Sequence, residues 1–216
     1  MDWSLLSWLP ENEKRTLIQG ARRRRFSKGE VVFHEGDPGE SMHLLVKGRV
    51  AVRLSTPLGD RALLRIIDTG GWFGELAALY PDPRSATIIA LEPCETLVVT
   101  SAQTEDIRRR IPEFDAMLVK ALVEEVKRLS NSLLDALYVP VEKRLYRRLL
   151  ELQDIYADDS AVATIPLTQD EIAQLVGTTR PTANHHLRIA AARGLVQVRR
   201  GAIEILDRPE LQRLAT

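Results

Sequence analysis

The chain of 216 residues holds a single cysteine, Cys94. That excludes a disulfide framework, and it excludes a zinc ribbon or an iron-sulfur cluster held by the cysteines of one chain. Cys94 sits in an apolar, strand-like run, where a buried structural thiol is expected. An excess of one charge is also absent: 30 basic and 30 acidic side chains cancel. The protein is therefore not a general polyanion binder, and any nucleic-acid contact has to come from a local patch. No apolar run approaches membrane-spanning length, and Met1-Asp2-Trp3-Ser4 lacks the basic and apolar regions of a secretory signal. A cytoplasmic protein without membrane association is the expectation. Histidine is scarce: His34 and His43 lie in the N-terminal half without an H-x-H pair. His185 and His186 are neighbours that project about 100° apart on a helix, which is the wrong spacing for sharing a metal. A cupin-like metalloenzyme is not expected.

What is present divides into two rhythms. Glycines at 29, 36, 39, 48, 59, 70, 71 and 74 punctuate short apolar runs: Val31 to His34, Met42 to Val46, Val50 to Leu54, Ala62 to Ile67, Ala86 to Leu91 and Thr96 to Val99. Turn signals at this spacing predict a small barrel or jelly roll. Arg22 to Arg25 stand without aromatic interleaving and read as a solvated strand start. From Pro112 a long helix follows. Its apolar residues recur at Val119, Leu122, Val126, Leu129, Leu133 and Ala136 in steps of three and four, a heptad seam suited to pairing with a second copy. The seam stops at Tyr138-Val139-Pro140-Val141, and a new apolar face begins with Val141, Leu145, Leu149, Leu152 and Tyr156. A change of face beside a proline predicts a hinge and a domain boundary.

Near the C-terminus, Leu167 to Leu187 reads as two short helices with a tight turn between them, the arrangement that fits a DNA major groove. Thr168 and Glu171 have capping-box spacing, so a helix starts there. Gly177 ends it at a residue that tolerates positive φ, and Thr179 caps a second helix with Arg180 in its first turn. Pro181 is harmless there because first-turn amides have no intrahelical acceptor. From Glu171 to Arg200 the one acid is Glu171, against Arg180, Arg188, Arg193, Arg199 and Arg200. Runs Leu195 to Val198 and Ala202 to Leu206 flank Arg199-Arg200-Gly201 as a hairpin, the wing of a winged helix, whose arginines suit phosphate contact.

In the barrel, Gly71-Trp72-Phe73-Gly74-Glu75-Leu76-Ala77-Ala78-Leu79-Tyr80-Pro81-Asp82-Pro83-Arg84-Ser85-Ala86-Thr87 is the remaining string that carries chemistry. A phosphodiester is held by a guanidinium fork, a hydroxyl and a backbone amide, and Arg84-Ser85-Ala86 offers all three in succession. Glu75 is a suitable acceptor for a sugar hydroxyl.

This string resembles the phosphate-binding cassette of cyclic-nucleotide-binding domains. Together with the long helix and Asp170-Glu171-Ile172-Ala173-Gln174-Leu175-Val176-Gly177-Thr178-Thr179-Arg180-Pro181-Thr182, it makes nearly the whole chain similar to the cyclic-AMP receptor protein / fumarate-nitrate regulator (CRP/FNR) family. The resemblance implies an α+β fold: an N-terminal β-roll effector domain at 1–111, a dimerisation helix at 112–138 and a C-terminal winged helix-turn-helix at 139–216. It implies a homodimer that binds palindromic double-stranded DNA, contacts RNA polymerase and is not an enzyme. No cofactor is obligatory; a cyclic nucleotide is the implied effector, with cyclic AMP foremost. Gly74 and Glu75 would meet the ribose, and Arg84, Ser85 and the Ala86 amide the cyclic phosphate. The candidate DNA-contacting residues are Thr168, Thr179, Arg180, Thr182, Asn184, His185, Arg199 and Arg200.

The chain also departs from the family pattern. Where the cyclic-AMP pattern has adjacent Thr and Ser for adenine, this chain has Leu129 and Ser130. Where it has an arginine one turn earlier facing the cassette glutamate, this chain has Glu125, so Glu75 is expected to meet a like charge. On the recognition helix the pattern Arg, Glu, Arg becomes Arg180, Pro181, His185. Two alternatives follow: a member with a vestigial pocket that acts without effector, and a cyclic-nucleotide-sensing module that controls a partner protein.

Overall fold

The computed structural model describes residues 9–55, 61–80, 82–157 and 164–216; Met1 to Ser4, Gly59 and Pro81 lie outside them. The chain forms two compact units, residues 1–127 and 128–216.

The first unit begins with α1 (Glu11–Gly20), followed by β1 (Arg22–Phe26), β2 (Val31–Phe33), β3 (Ser41–Lys47), β4 (Val50–Ser55), β5 (Arg61–Ile67) and β6 (Trp72–Phe73). The short α2 (Glu75–Leu79) precedes β7 (Thr87–Ala90) and β8 (Cys94–Thr100), and α3 (Ser101–Arg110) leads into the long α4 (Glu113–Tyr138). The strands make two antiparallel four-stranded sheets, ordered β1-β8-β3-β6 and β2-β7-β4-β5. Both contribute to one core of Phe26, Val32, Leu45, Val50, Ile67, Phe73, Ile88, Ala90 and Cys94, as in a β-roll. Strand period explains why β3 is buried on both faces. Leu45 points into the roll, while Met42, Leu44 and Val46 pack outward against Leu17 of α1, Ile107 of α3 and Phe114, Met117 and Leu118 of α4. Cys94 is buried, its thiol donating to the Arg49 and Glu92 carbonyls, and burial pushes its pKa up; it is a structural thiol. β1 exposes its four arginines, of which Arg23 and Arg25 pair with Glu95 on β8.

The second unit contains the end of α4, then α5 (Val141–Tyr156), β9 (Thr164–Ile165), α6 (Gln169–Val176), α7 (Arg180–Ala192), β10 (Val196–Arg199), β11 (Ala202–Ile205) and α8 (Arg208–Ala215). Leu145, Leu149, Leu152 and Tyr156 of α5 are buried with Ile172 and Val176 of α6, Leu187 of α7 and Leu211 of α8. The wing is a three-stranded sheet, β10-β11-β9, one strand more than the hairpin expected from sequence. Across Val139-Pro140, arginines of α5 hold the last turns of α4. Arg144 donates to the Ala136 carbonyl at 2.8 Å, Arg147 pairs with Asp135 at 2.7 Å, and Arg148 donates to Ser132 Oγ at 3.2 Å.

Candidate functional site

The cassette follows β6. Gly74, with φ of 80°, caps α2 from the left-handed region, and a Cβ there would lie 2.7 Å from Arg84 Nη1. Glycine is needed for both reasons, conformation and close approach. Arg84 is buried, 6% exposed. Its Nη1 donates to the Ser41 and Gly74 carbonyls at 2.6 and 2.9 Å and Nη2 to Ser41 Oγ at 3.1 Å, while its Cζ lies 4.1 Å from the Phe33 ring centroid. All these partners are neutral, and among the described residues the buried Nε has no hydrogen-bond partner. Burial lowers the pKa of Arg84, opposed by Asp37 and Glu75. Among the described residues no carboxylate lies within ion-pair distance of it. Ser85 is exposed in the bend that follows, and Ala86 is buried at the entry to β7. Neither Ser41 nor Phe33 was legible as a partner of Arg84, because each comes from another strand.

Glu75 opens α2. Burial raises its pKa, its own helix-start amide pulls it back, and three charges act on it: Arg65 and Arg84 downward, Glu125 upward. The like charge expected from Glu125 is there, but it does not act alone. Arg65 of β5 donates from Nη1 to Glu125 Oε2 of α4 at 3.1 Å. Where the family pattern has a cation on the long helix, the charge of Arg65 on a strand acts on Glu75. Arg65 was missed at the sequence level, because nothing local distinguishes it from any other strand arginine. Leu129 and Ser130 are exposed on α4, in the second unit.

The helix-turn-helix is built as its local signals require. Thr168 and Glu171 form a reciprocal capping box: Glu171 N donates to Thr168 Oγ1 at 3.2 Å and Thr168 N to Glu171 Oε2 at 2.9 Å. Gly177 ends α6 with φ of 70°. Thr179 caps α7, accepting from the Thr182 amide, and its hydroxyl also meets the Thr182 hydroxyl at 2.9 Å. α7 buries Ala183, Leu187 and Ala190. The opposite face exposes Arg180, Pro181, His185 and Arg188, with Asn184 and Thr182 half-buried at its edge.

The N-terminal end of α6, the start of α7 and the wing enclose a cavity of about 410 Å³ lined by Thr168, Gln169, Asp170, Arg180, Arg199 and Arg200. Four of the candidate DNA-contacting residues thus converge on one groove. Helix-start amides and guanidinium groups facing one groove can hold a phosphate. Arg199 is partly engaged, pairing with Glu204 at 3.1 Å, and Arg200 is exposed.

Among the described residues no three His, Cys, Asp or Glu side chains cluster to hold a metal ion, and no helix is long and apolar enough to cross a membrane.

Comparison with known proteins follows the same division. Residues 23–110 match the cyclic nucleotide-binding domain and residues 143–214 the Crp-like helix-turn-helix domain. The CRP-like cAMP-activated global transcriptional regulator of Mycobacterium tuberculosis is 32% identical over 196 residues, covering 88% of this chain and 86% of that protein. The cGMP-dependent protein kinase 2 of Homo sapiens is 35% identical over 102 residues, 47% of this chain and 13% of the kinase. Among solved structures, the c-di-GMP-responsive global regulator CLP of Xanthomonas campestris aligns with a TM-score of 0.79 at 18% identity. That match covers 92% of this chain and 100% of the other, and it is a likeness of fold.

Proposed function

The chain belongs to the CRP/FNR family of transcription regulators, and from that premise we propose that it acts as a homodimer whose DNA binding is set by a cyclic nucleotide held in the first unit. Membership itself makes it a DNA-binding regulator with a helix-turn-helix, and not an enzyme. The proposal adds the effector, the dimer and the residues. Residues 1–111 are the effector domain, 112–138 the dimerisation helix and 139–216 the DNA-binding domain, which reads a palindromic site and works with RNA polymerase.

One observation carries the effector reading: among the described residues Arg84 is a buried cation surrounded by neutral acceptors, with a buried Nε that has no hydrogen-bond partner. Burying a charge without a counter-ion is costly, and a bound anion would relieve that cost. A cyclic phosphate beside Arg84, Ser85 and the Ala86 amide supplies the missing anion, and Glu75 then accepts from the ribose. The names of the relatives divide between adenine and guanine ligands, so membership leaves the base open.

The alternative is an effector-independent regulator, favoured by the engagement of both Arg84 terminal nitrogens with Ser41 and Gly74. Calorimetric titration with cyclic AMP, cyclic GMP and cyclic di-GMP decides between the two. Binding of one of them is expected, and Arg84→Ala should weaken it by about 2 to 5 kcal/mol while leaving the fold intact. Absence of binding by all three in the wild-type protein establishes the effector-independent reading.

A further inference from the structure

An arginine side chain has five N–H donors in a fixed plane, and the ones already used decide what it can still hold. At Arg84, Nη1 gives both of its hydrogens, to the Ser41 and Gly74 carbonyls at 2.6 and 2.9 Å. Nη2 gives one, to Ser41 Oγ at 3.1 Å. Ser41 thus takes one terminal nitrogen with its carbonyl and the other with its hydroxyl, closing on the end of the guanidinium. Among the described residues the donors left over are the second hydrogen of Nη2 and the one on Nε. These two lie side by side on one edge of the plane, the fork that takes two oxygens of a phosphate.

The contacts that fix this orientation come from separate parts of the barrel. Ser41 is the first residue of β3 and pairs with Thr100 of β8. Phe33 belongs to the other sheet, and its ring centroid lies 4.1 Å from Arg84 Cζ, covering one face of the group. Gly74 lets Nη1 approach because it has no Cβ. Of the three acceptors two are backbone carbonyls, and both bind Nη1. The Ser41 hydroxyl is what ties Nη2. Without it the guanidinium is held at one nitrogen and can turn about it.

We infer that Ser41 is a positioning residue for anion binding: it holds the end of the Arg84 guanidinium so that Nε and Nη2 present a fork to a cyclic phosphate. Ser41 itself does not touch the ligand. The opposite role for the same contact is that of an occupant, filling Arg84 in place of a ligand. The two differ in sign. Removing the hydroxyl of an occupant frees a donor and tightens binding, whereas removing that of a positioning residue loosens it. The loosening is the same whichever base the ligand carries, because it acts at the phosphate.

This inference rests on the effector reading above, and one experiment separates their failures. The full chain is titrated with cyclic AMP, cyclic GMP and cyclic di-GMP, as wild type, Ser41→Thr, Ser41→Val and Ser41→Ala. Threonine and valine are both β-branched and suit a strand, so they differ here by the hydroxyl. Ser41→Thr should keep the wild-type affinity. Ser41→Val should weaken the bound ligand roughly three- to ten-fold, and Ser41→Ala, which adds no bulk, should match it. A second readout follows Arg84 directly. Its Nε–H signal in nitrogen-15 spectra, assigned by its loss in Arg84→Lys, should shift on ligand addition in wild type and Ser41→Thr and shift less in the other two variants. Equal affinity in the variants with and without the hydroxyl overturns the inference and leaves the effector reading standing. So does tighter binding by Ser41→Ala, which makes Ser41 an occupant, and so does a full Nε–H shift in Ser41→Ala, which places the action of the hydroxyl elsewhere. Wild-type protein that binds none of the three overturns both.

Discussion

At the scale of single residues, His43 and Arg84 show two ways of burying a basic group in one barrel. Arg84 remains a cation with neutral partners. His43, 3% exposed, gives up its charge: burial, then Arg84 and Arg24, bring its pKa down to about 3. Its ring stacks on Phe73 at 5.0 Å and 14°, with Nδ1 3.1 Å from Thr96 Oγ1. The sign of the resulting pH dependence follows. Below pH 6.5 the unfolded chain takes up a proton at His43 and the native chain does not, so stability present above that pH is lost as pH falls toward 3. The loss at this site approaches about 1.4 kcal/mol per pH unit. His43→Gln should flatten the dependence of the urea midpoint on pH between 6.5 and 4, at some cost in stability at neutral pH. An unchanged slope would mean that His43 does not dominate acid sensitivity.

At the scale of elements, α4 changes its environment along its length. Phe114, Met117 and Leu118 are buried in the first unit. Beyond them Val119, Val123, Val126, Leu129, Leu133, Leu134 and Leu137 are exposed. Leu122 is half-buried and Ala136 exposed, which completes the heptad row. A row of this length suits the association that the proposed dimer requires. Each large side chain buried by a second copy contributes roughly 1.5 to 3 kcal/mol. Val126, 62% exposed, has no folding role that a polar group would disturb. Val126→Glu should therefore give a folded monomer by sedimentation, with weakened DNA binding because two half-sites no longer act together. A wild-type monomer at micromolar concentration would refute the dimer.

At the scale of the whole molecule, the proposed dimer would combine the groove at the helix-turn-helix with a two-fold repeat of the chain in recognising DNA. A dimer reads an inverted repeat with half-sites about one helical turn apart. Arg180, exposed in the first turn of α7, offers a fork for guanine O6 and N7, worth about 1 to 3 kcal/mol of discrimination. Pro181 offers no acceptor for a cytosine amino group, and His185 when neutral donates one ring hydrogen, so the neighbouring bases should be read loosely. In vitro selection from random DNA should return an inverted repeat with one strong guanine per half-site. Arg180→Ala should erase that guanine, and a selection unaffected by the change would place recognition elsewhere.

Much of this was legible because it is encoded over three or four residues. Thr168 with Glu171, Gly177 and Thr179 each specify a helix end by local hydrogen bonding and φ, so α6 was readable with both ends and α7 with its start. Short apolar runs between glycine turn signals located β2 to β5, β7 and β8, and the steps of three and four exposed the seam on α4. Helices α3 and α8 carry cap signals of the same kind, Thr100 with Gln103 and Asp207 with Glu210, and were passed over, whereas α1 has no side-chain cap and β9 is two residues long. The charge arrangement of the candidate pocket was decided only in three dimensions. Arg84 reaches Ser41 across 43 positions of sequence and Arg65 reaches Glu125 across 60. A bulge at Leu64 aims Arg65, and a bulge is a property of two paired strands rather than of either one. The sequence by itself determined the ends of α6, the start of α7 and the order of barrel, long helix and helix-turn-helix, because backbone conformation answers to near neighbours. Which buried charges face one another was settled by the tertiary structure, because that depends on where distant strands and helices bring their side chains together.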